Sequence, residues 1–88
     1  MKIVFSPEAW EDYQYWQAAD DVILKRINLL IKDSIRTPFS GLGKPEALKA
    51  NLQGFWSRRI DREHRLVYRV QGSGAAQTLE IIQCRYHY

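Results

Sequence analysis

A glutamate between lysines, a set of cations and a terminal histidine are spread over the second half of the chain in four stretches, "GKPEALK", "FWSRRI", "EHRLVY" and "CRYHY". Glu46 stands between Lys44 and Lys49, Arg59 and Arg65 lie on neighbouring apolar runs, and the chain closes on Arg85, His87 and Tyr88. These are the group types needed to cut an RNA phosphodiester with the RNA's own 2'-hydroxyl as nucleophile. That reaction asks for a base to take the hydroxyl proton, cations for the charge that builds on the phosphate, and an acid for the leaving 5'-oxygen. Glu46 is the candidate base, Arg65 with Arg59 and Lys49 the phosphate clamp, and His87, with Tyr88 beside it, the candidate acid.

Each of these residues also has a plainer reading. A glutamate after proline commonly opens a helical turn, a terminal histidine is commonly solvated, and a terminal tyrosine commonly packs. Taken singly, no candidate stands on composition and spacing, so the elements that would bring them together carry the argument.

Residues 2–6, "KIVFS", read as a short strand. Ser6, Pro7 and Glu8 then supply an N-cap hydroxyl, a proline at the first helical position and an acid in the first turn, so a helix should run to about Ala18. Ala9, Tyr13 and Trp16 fall on one face of it with Trp10 beside them, and all are expected in the core. Asp20 or Asp21 can cap a second helix striped by Ile23, Leu24, Ile27, Leu30, Ile31 and Ser34, with Lys25, Arg26, Lys32 and Asp33 off the stripe and Leu29 exposed. The stretch "TPFSGLGKP" ends that helix in a loop, and "EALKA" could add one helical turn. Strands are predicted over residues 55–60, 64–71 and 79–86, the last two joined by "GSGAAQ". The order β-α-α-β-β-β implies an α+β fold, a single domain over residues 1–88 with a two-helix hairpin on one face of a small, largely antiparallel twisted sheet.

Side chains on a strand alternate faces. His64, Leu66, Tyr68 and Val70 form the apolar set that should meet the helices, which makes His64 structural, while Arg65, Val67 and Arg69 look the other way. Ile82 and Cys84 fall in one set of the last strand, Gln83, Arg85 and His87 in the other. If the turn at residues 61–63 holds three residues, Ile60 pairs with His64 and Arg59 sits opposite Arg65. Arg59, Arg65, Arg69, Arg85 and His87 would then share one uncovered face; a two-residue turn breaks the register. Like charges across a sheet destabilise it, so arginines crowded without acidic partners imply an anion, and phosphate suits guanidinium because it can be held bidentately.

Composition agrees with that partner. The net charge is +3, but residues 1–43 hold five Lys or Arg against six Asp or Glu, and residues 44–88 hold eight against four. The basic half points to a polyanion. A single cysteine, Cys84, leaves no internal disulfide and no multi-cysteine zinc site and suits a reducing cytosol, and no cofactor or metal is expected. No signal peptide or membrane span is legible, so a cytoplasmic location is expected.

The same stretches, with "YWQ" in the first helix, "IN" and "LIKD" in the second and "TPF" and "GKPE" in the loop, resemble the Txe/YoeB family of the RelE superfamily of bacterial toxins over essentially the whole chain. The hairpin "QGSGAAQT" is a few residues longer than the family pattern and lies far from the motifs. The resemblance implies a RelE-like fold and a ribosome-dependent endoribonuclease that cuts the mRNA codon in the A site and halts translation. It implies Glu46 as general base, His87 as general acid, Arg65 as the main transition-state cation, Lys49 and Arg59 as RNA contacts, and Tyr88 as a positioning residue. Lys44 and Arg85 join the expected phosphate-binding set from their charge. The resemblance further implies a YefM-type antitoxin, a homodimer, and contact with operator DNA only through the antitoxin complex. A different reading of the same basic face is a module that blocks the ribosome or binds RNA by charge alone, without catalysis.

Overall fold

Ser6 acts as the sequence predicts, its hydroxyl accepting the Ala9 amide at 3.1 Å in the computed structural model, which describes residues 1–88. It closes strand β1 (Lys2–Phe5) and opens helix α1 (Pro7–Ala19). Asp20, rather than Asp21, caps the second helix, α2 (Asp21–Arg36), with one carboxylate oxygen accepting the Val22 and Ile23 amides at 3.0 and 3.1 Å. The two helices thus turn on a single capping residue.

The second half forms β2 (Glu46–Ala47), β3 (Trp56–Arg59), β4 (Arg65–Gln71) and β5 (Thr78–Gln83), with short 3-10 turns at Ala50–Leu52 and Gly74–Ala76. The strand order is β1-β5-β4-β3-β2, with β1 parallel to β5 and every other pair antiparallel. The α+β class and the largely antiparallel sheet therefore hold, with one strand more than expected. Residues 46–49 make no helical turn and the 3-10 turn begins only at Ala50, because Glu46 and Ala47 pair with Ser57 and Trp56, and the Leu48 amide reaches the Phe55 carbonyl at 2.9 Å. Cross-strand partners were available to this backbone, and they win over the weak local helix propensity of five residues.

Both helices cover one face of the sheet, where Ala9, Trp16, Ile27, Leu30 and Ile31 meet Ile60, Leu66, Tyr68, Leu79, Ile81 and Cys84. Leu30, Leu66 and Ile81 are wholly buried, each contributing about 1.5–3 kcal/mol. Trp10 departs from the expected core position. It stays 46% exposed and stacks on Tyr13, whose hydroxyl donates to Asn28 at 2.6 Å. Asp33 departs in the opposite sense and is buried, because residues 37–43 fold over that side of α2. No helix is long and apolar enough to cross a membrane.

Candidate active site

Strand pairing aligns Glu46 with Ser57, Ser57 with Val67, and Val67 with Gln83, so one row of side chains crosses four strands on the face away from the helices. The next row holds Arg59 opposite Arg65. The register comes from the Asp61 side chain, which accepts the Glu63 and His64 amides at 2.9 and 2.7 Å and fixes a three-residue turn. Ile60 and His64 close it, the Ile60 amide donating to the His64 carbonyl at 3.0 Å. The ion pairs run Lys25–Asp21, Arg36–Asp33, Arg58–Asp33, His64–Glu63 and Arg69–Glu80, and none takes in Lys44, Arg59 or Arg65. Two facing arginines without a carboxylate are held at a loss that an anion would relieve.

Arg65 is held ready for one. Its Nη1 donates to the carbonyls of Asp61, Arg62 and His64 at 2.9, 3.4 and 3.0 Å, which leaves Nε and Nη2 for a ligand. A polar cleft of about 190 Å³ lies over these rows, lined by Lys44, Glu46, Ser57, Arg59, Arg65, His87 and Tyr88.

The wall carrying Lys44 and Glu46 is set by a buried arginine that sequence reasoning did not single out. Arg58, one residue before Arg59, points to the helix face and is fully buried. All five of its N–H donors are used: Nε on the Tyr68 hydroxyl, Nη1 on Asp33 at 2.6 Å and the Leu42 carbonyl, Nη2 on the carbonyls of Thr37 and Ser40. The loop before β2 is thereby tied to α2 and β3. Its exit is tight, since a Cβ on Gly43 (φ +78°) would sit 2.9 Å from Leu30 and 3.1 Å from the Arg59 carbonyl. Lys44 follows in the left-handed region at φ +53°, strain held at the edge of the cleft. The Leu42 amide and Arg58 hold the Asp33 carboxyl below the usual carboxylate range.

The fourth wall is the chain end, and alternation does not place it. The predicted last strand stops at Gln83, and a bulge makes Ile82 an extra residue, so that Ile81 and Cys84, not Ile82 and Cys84, share the core face. Cys84 is fastened by α1: Trp16 Nε1 donates to its carbonyl at 2.8 Å and its amide donates to Asp12 at 3.1 Å. Burial pushes the Asp12 carboxyl up, and burial followed by Asp12 itself pushes the Cys84 thiol up to about 12. Tyr86 then takes a left-handed conformation, φ +67°, and turns the chain over the charged face. This bend delivers His87 and Tyr88 to the cleft. The Tyr88 hydroxyl donates to Glu46 at 3.2 Å; its single proton so spent, Ser57 Oγ at 3.4 Å is the donor to it. His87 Nδ1 lies 3.0 Å from a terminal carboxylate oxygen of Tyr88, which can only accept, so Nε2 is the nitrogen left to exchange a proton with a substrate.

Six of the predicted residues, Lys44, Glu46, Arg59, Arg65, His87 and Tyr88, thus line one cleft. Lys49 lies in the adjoining groove, which shares Glu46 and Tyr88 with the cleft. Arg85 does not join them. Its guanidinium stacks instead on the rings of Tyr15 and Tyr86, 3.4 and 4.5 Å from their centroids. Arg69 is also withdrawn, paired with Glu80 at 2.5 Å. Ser57 was missed although it lies two residues from Arg59 on the same face; strand alternation would have found it. No three His, Cys, Asp or Glu residues gather where they could hold a metal.

Known proteins resemble this one along its whole length. Residues 5–88 match the family model described as a YoeB-like toxin of bacterial type II toxin-antitoxin systems. Toxin YoeB of Escherichia coli K12 is 60% identical over 88 residues, covering 100% of both chains. A YoeB/ParE toxin structure from Agrobacterium tumefaciens superposes with a TM-score of 0.96 at 57% identity, covering 100% of each chain. Two Staphylococcus aureus structures, a YoeB dimer and a heterotetrameric YoeB-YefM complex, each give 0.88 at 48% identity over 100% of this chain and 98% of theirs.

Proposed function

The chain belongs to the YoeB-like toxins of bacterial type II toxin-antitoxin systems, and from that premise we propose that it is a ribosome-dependent endoribonuclease that cuts mRNA in the A site by metal-free acid-base chemistry. The observation that carries this reading is the cleft that Glu46 and His87 line together with Arg59 and Arg65, two facing arginines without an ion partner. An RNA phosphate seated on the two guanidiniums brings its 2'-hydroxyl to Glu46. Glu46 takes that proton while the 2'-oxygen bonds to phosphorus. The bond from phosphorus to the 5'-oxygen breaks, and His87 in its protonated form gives the leaving oxygen a proton. Charge on the phosphate is met by Arg65, Arg59 and Lys44, with Lys49 on the flanking groove. Tyr88, bonded to Glu46, orients the base.

A YefM-type antitoxin and a second copy of the chain are the proposed protein partners, supported by the S. aureus complex and dimer. The ribosome and mRNA are the proposed targets in a cytoplasmic setting. Operator DNA is reached only through the antitoxin complex.

A purified translation system programmed with a defined mRNA tests the reading. The wild-type chain should yield cut mRNA with a 2',3'-cyclic or 3'-phosphate and a 5'-hydroxyl, while Glu46→Ala and His87→Ala yield none. Arrest of synthesis by both variants with the mRNA whole would favour the non-catalytic module. Products bearing a 5'-phosphate would overturn the 2'-hydroxyl path.

A further inference from the structure

His64 is a buried side chain that the reaction above does not use. It sits 8% exposed at the entrance to β4, with its amide and carbonyl fixed by Asp61 and Ile60 and its ring edge-on to Trp16, centroids 4.8 Å apart. Its Nδ1 lies 2.7 Å from the backbone nitrogen of Tyr86. An amide only donates, so Nδ1 is an acceptor and the ring proton resides on Nε2, which faces Glu63 at 3.6 Å.

The residue so gripped is the one that turns the tail. Tyr86 is exposed and left-handed, a conformation that non-glycine residues disfavour by roughly tenfold. Its carbonyl accepts the Arg65 amide at 3.0 Å and Gln83 Nε2 at 3.2 Å. Its amide has the His64 ring. The tail therefore docks beside two consecutive residues, the ring of one and the backbone of the other, and Arg65 reaches into the cleft from the same anchor point. Trp16 serves both ends of the device, packing on the His64 ring and holding the Cys84 carbonyl. Past Tyr86 the chain has only the contacts of the cleft itself.

We propose that His64 is a positioning residue: its Nδ1, by holding the Tyr86 amide, sets the left-handed bend that presents His87 and Tyr88 to the cleft. The catalytic part of this inference rests on the endoribonuclease reading; the latch itself does not. His64 touches no substrate and acts only through the tail. Losing it frees the bend without emptying the phosphate site, so turnover falls while RNA binding by Arg59 and Arg65 persists.

The test uses the full-length chain labelled with nitrogen-15. In the wild type, a trans-hydrogen-bond coupling should link the Tyr86 amide nitrogen to His64 Nδ1. His64→Leu, which fills the space beside Trp16 without an acceptor, should raise the mobility of His87 and Tyr88 in relaxation measurements. It should also lower kcat on free RNA on the order of tenfold with KM little changed. His64→Asn, whose Oδ1 stands near the Nδ1 position, should restore most of the tail order and of kcat. Absence of the coupling in the wild type overturns the latch whether or not the variants fold. So does a His64→Leu chain whose tail stays ordered, or a His64→Asn chain no better than His64→Leu. A wild type that shows the coupling and cuts no RNA retains the latch and removes the endoribonuclease reading instead.

Discussion

The hydroxyl of Tyr88, the last residue, donates to the carboxylate of Glu46, the first residue of β2, over 3.2 Å. A chain end thus touches the acid that would serve as base. Tyr88→Phe keeps the ring and removes the proton donor, so RNA cleavage should fall roughly tenfold, and deleting Tyr88 should lower it by ~10²-fold. With Tyr88 43% exposed, thermal unfolding should move little in either variant. A deletion that abolishes folding would make the tail a packing element.

Glu46→Gln and His87→Gln preserve size and remove proton transfer. Each should lower single-turnover cleavage of free RNA by ~10²-fold or more, and the double variant should lose less than the product of the two. Equal activity of either variant and the wild type would remove that residue from the chemistry.

Arg58→Leu leaves buried Asp33 with only the exposed Arg36 as ion partner, and takes a donor from three loop carbonyls, of which Leu42's has no other. Stability to urea should drop by about 3–5 kcal/mol. Adding Asp33→Leu should recover only the ion-pair part, because the Leu42 carbonyl stays unsatisfied and those of Thr37 and Ser40 stay under-bonded. Arg59→Leu, one residue on, should leave stability nearly unchanged and weaken RNA binding.

Acid should act on two carboxylates with opposite signs. Asp33 is held below its ordinary value in the folded chain, so it contributes stability above about pH 4, the unfolded carboxylate range, and loses it as pH falls towards the folded value. Asp12 is held above, so its ionisation opposes folding at neutral pH and the penalty is lifted as pH falls through the raised value. Asp12→Asn, which keeps an acceptor for the Cys84 amide, should be more stable than the wild type at pH 7 and converge with it in acid. Denaturant melts from pH 3 to pH 8 read both effects.

The Cys84 thiol, buried and pushed up to about 12, should be ~10⁻⁴ ionised at pH 8. It should resist alkylation in the folded chain and react at a rate set by unfolding. Rapid modification in buffer, at a rate independent of stability, would contradict that burial.

Local rules were enough for the helices, the cap at Ser6, a second cap at Asp20 or Asp21, and the face of β4 that carries Arg65, since each depends on a few neighbouring residues and a fixed period. The same period paired Arg59 with Arg65 once the Asp61 turn held three residues. What local rules could not supply were contacts made across the chain. Ala47 and Glu46 became a strand because β3 offered partners, and Asp33 was buried because a loop some residues later found Arg58. The end of the chain shows the division most clearly. Residue types in "CRYHY" signalled an acid and a phenol, but alternation would have put Arg85 beside His87. A bulge at Ile82 and a left-handed Tyr86 held by His64 break the two-residue period, so which terminal side chains reach Glu46 is decided by packing against α1 and β4.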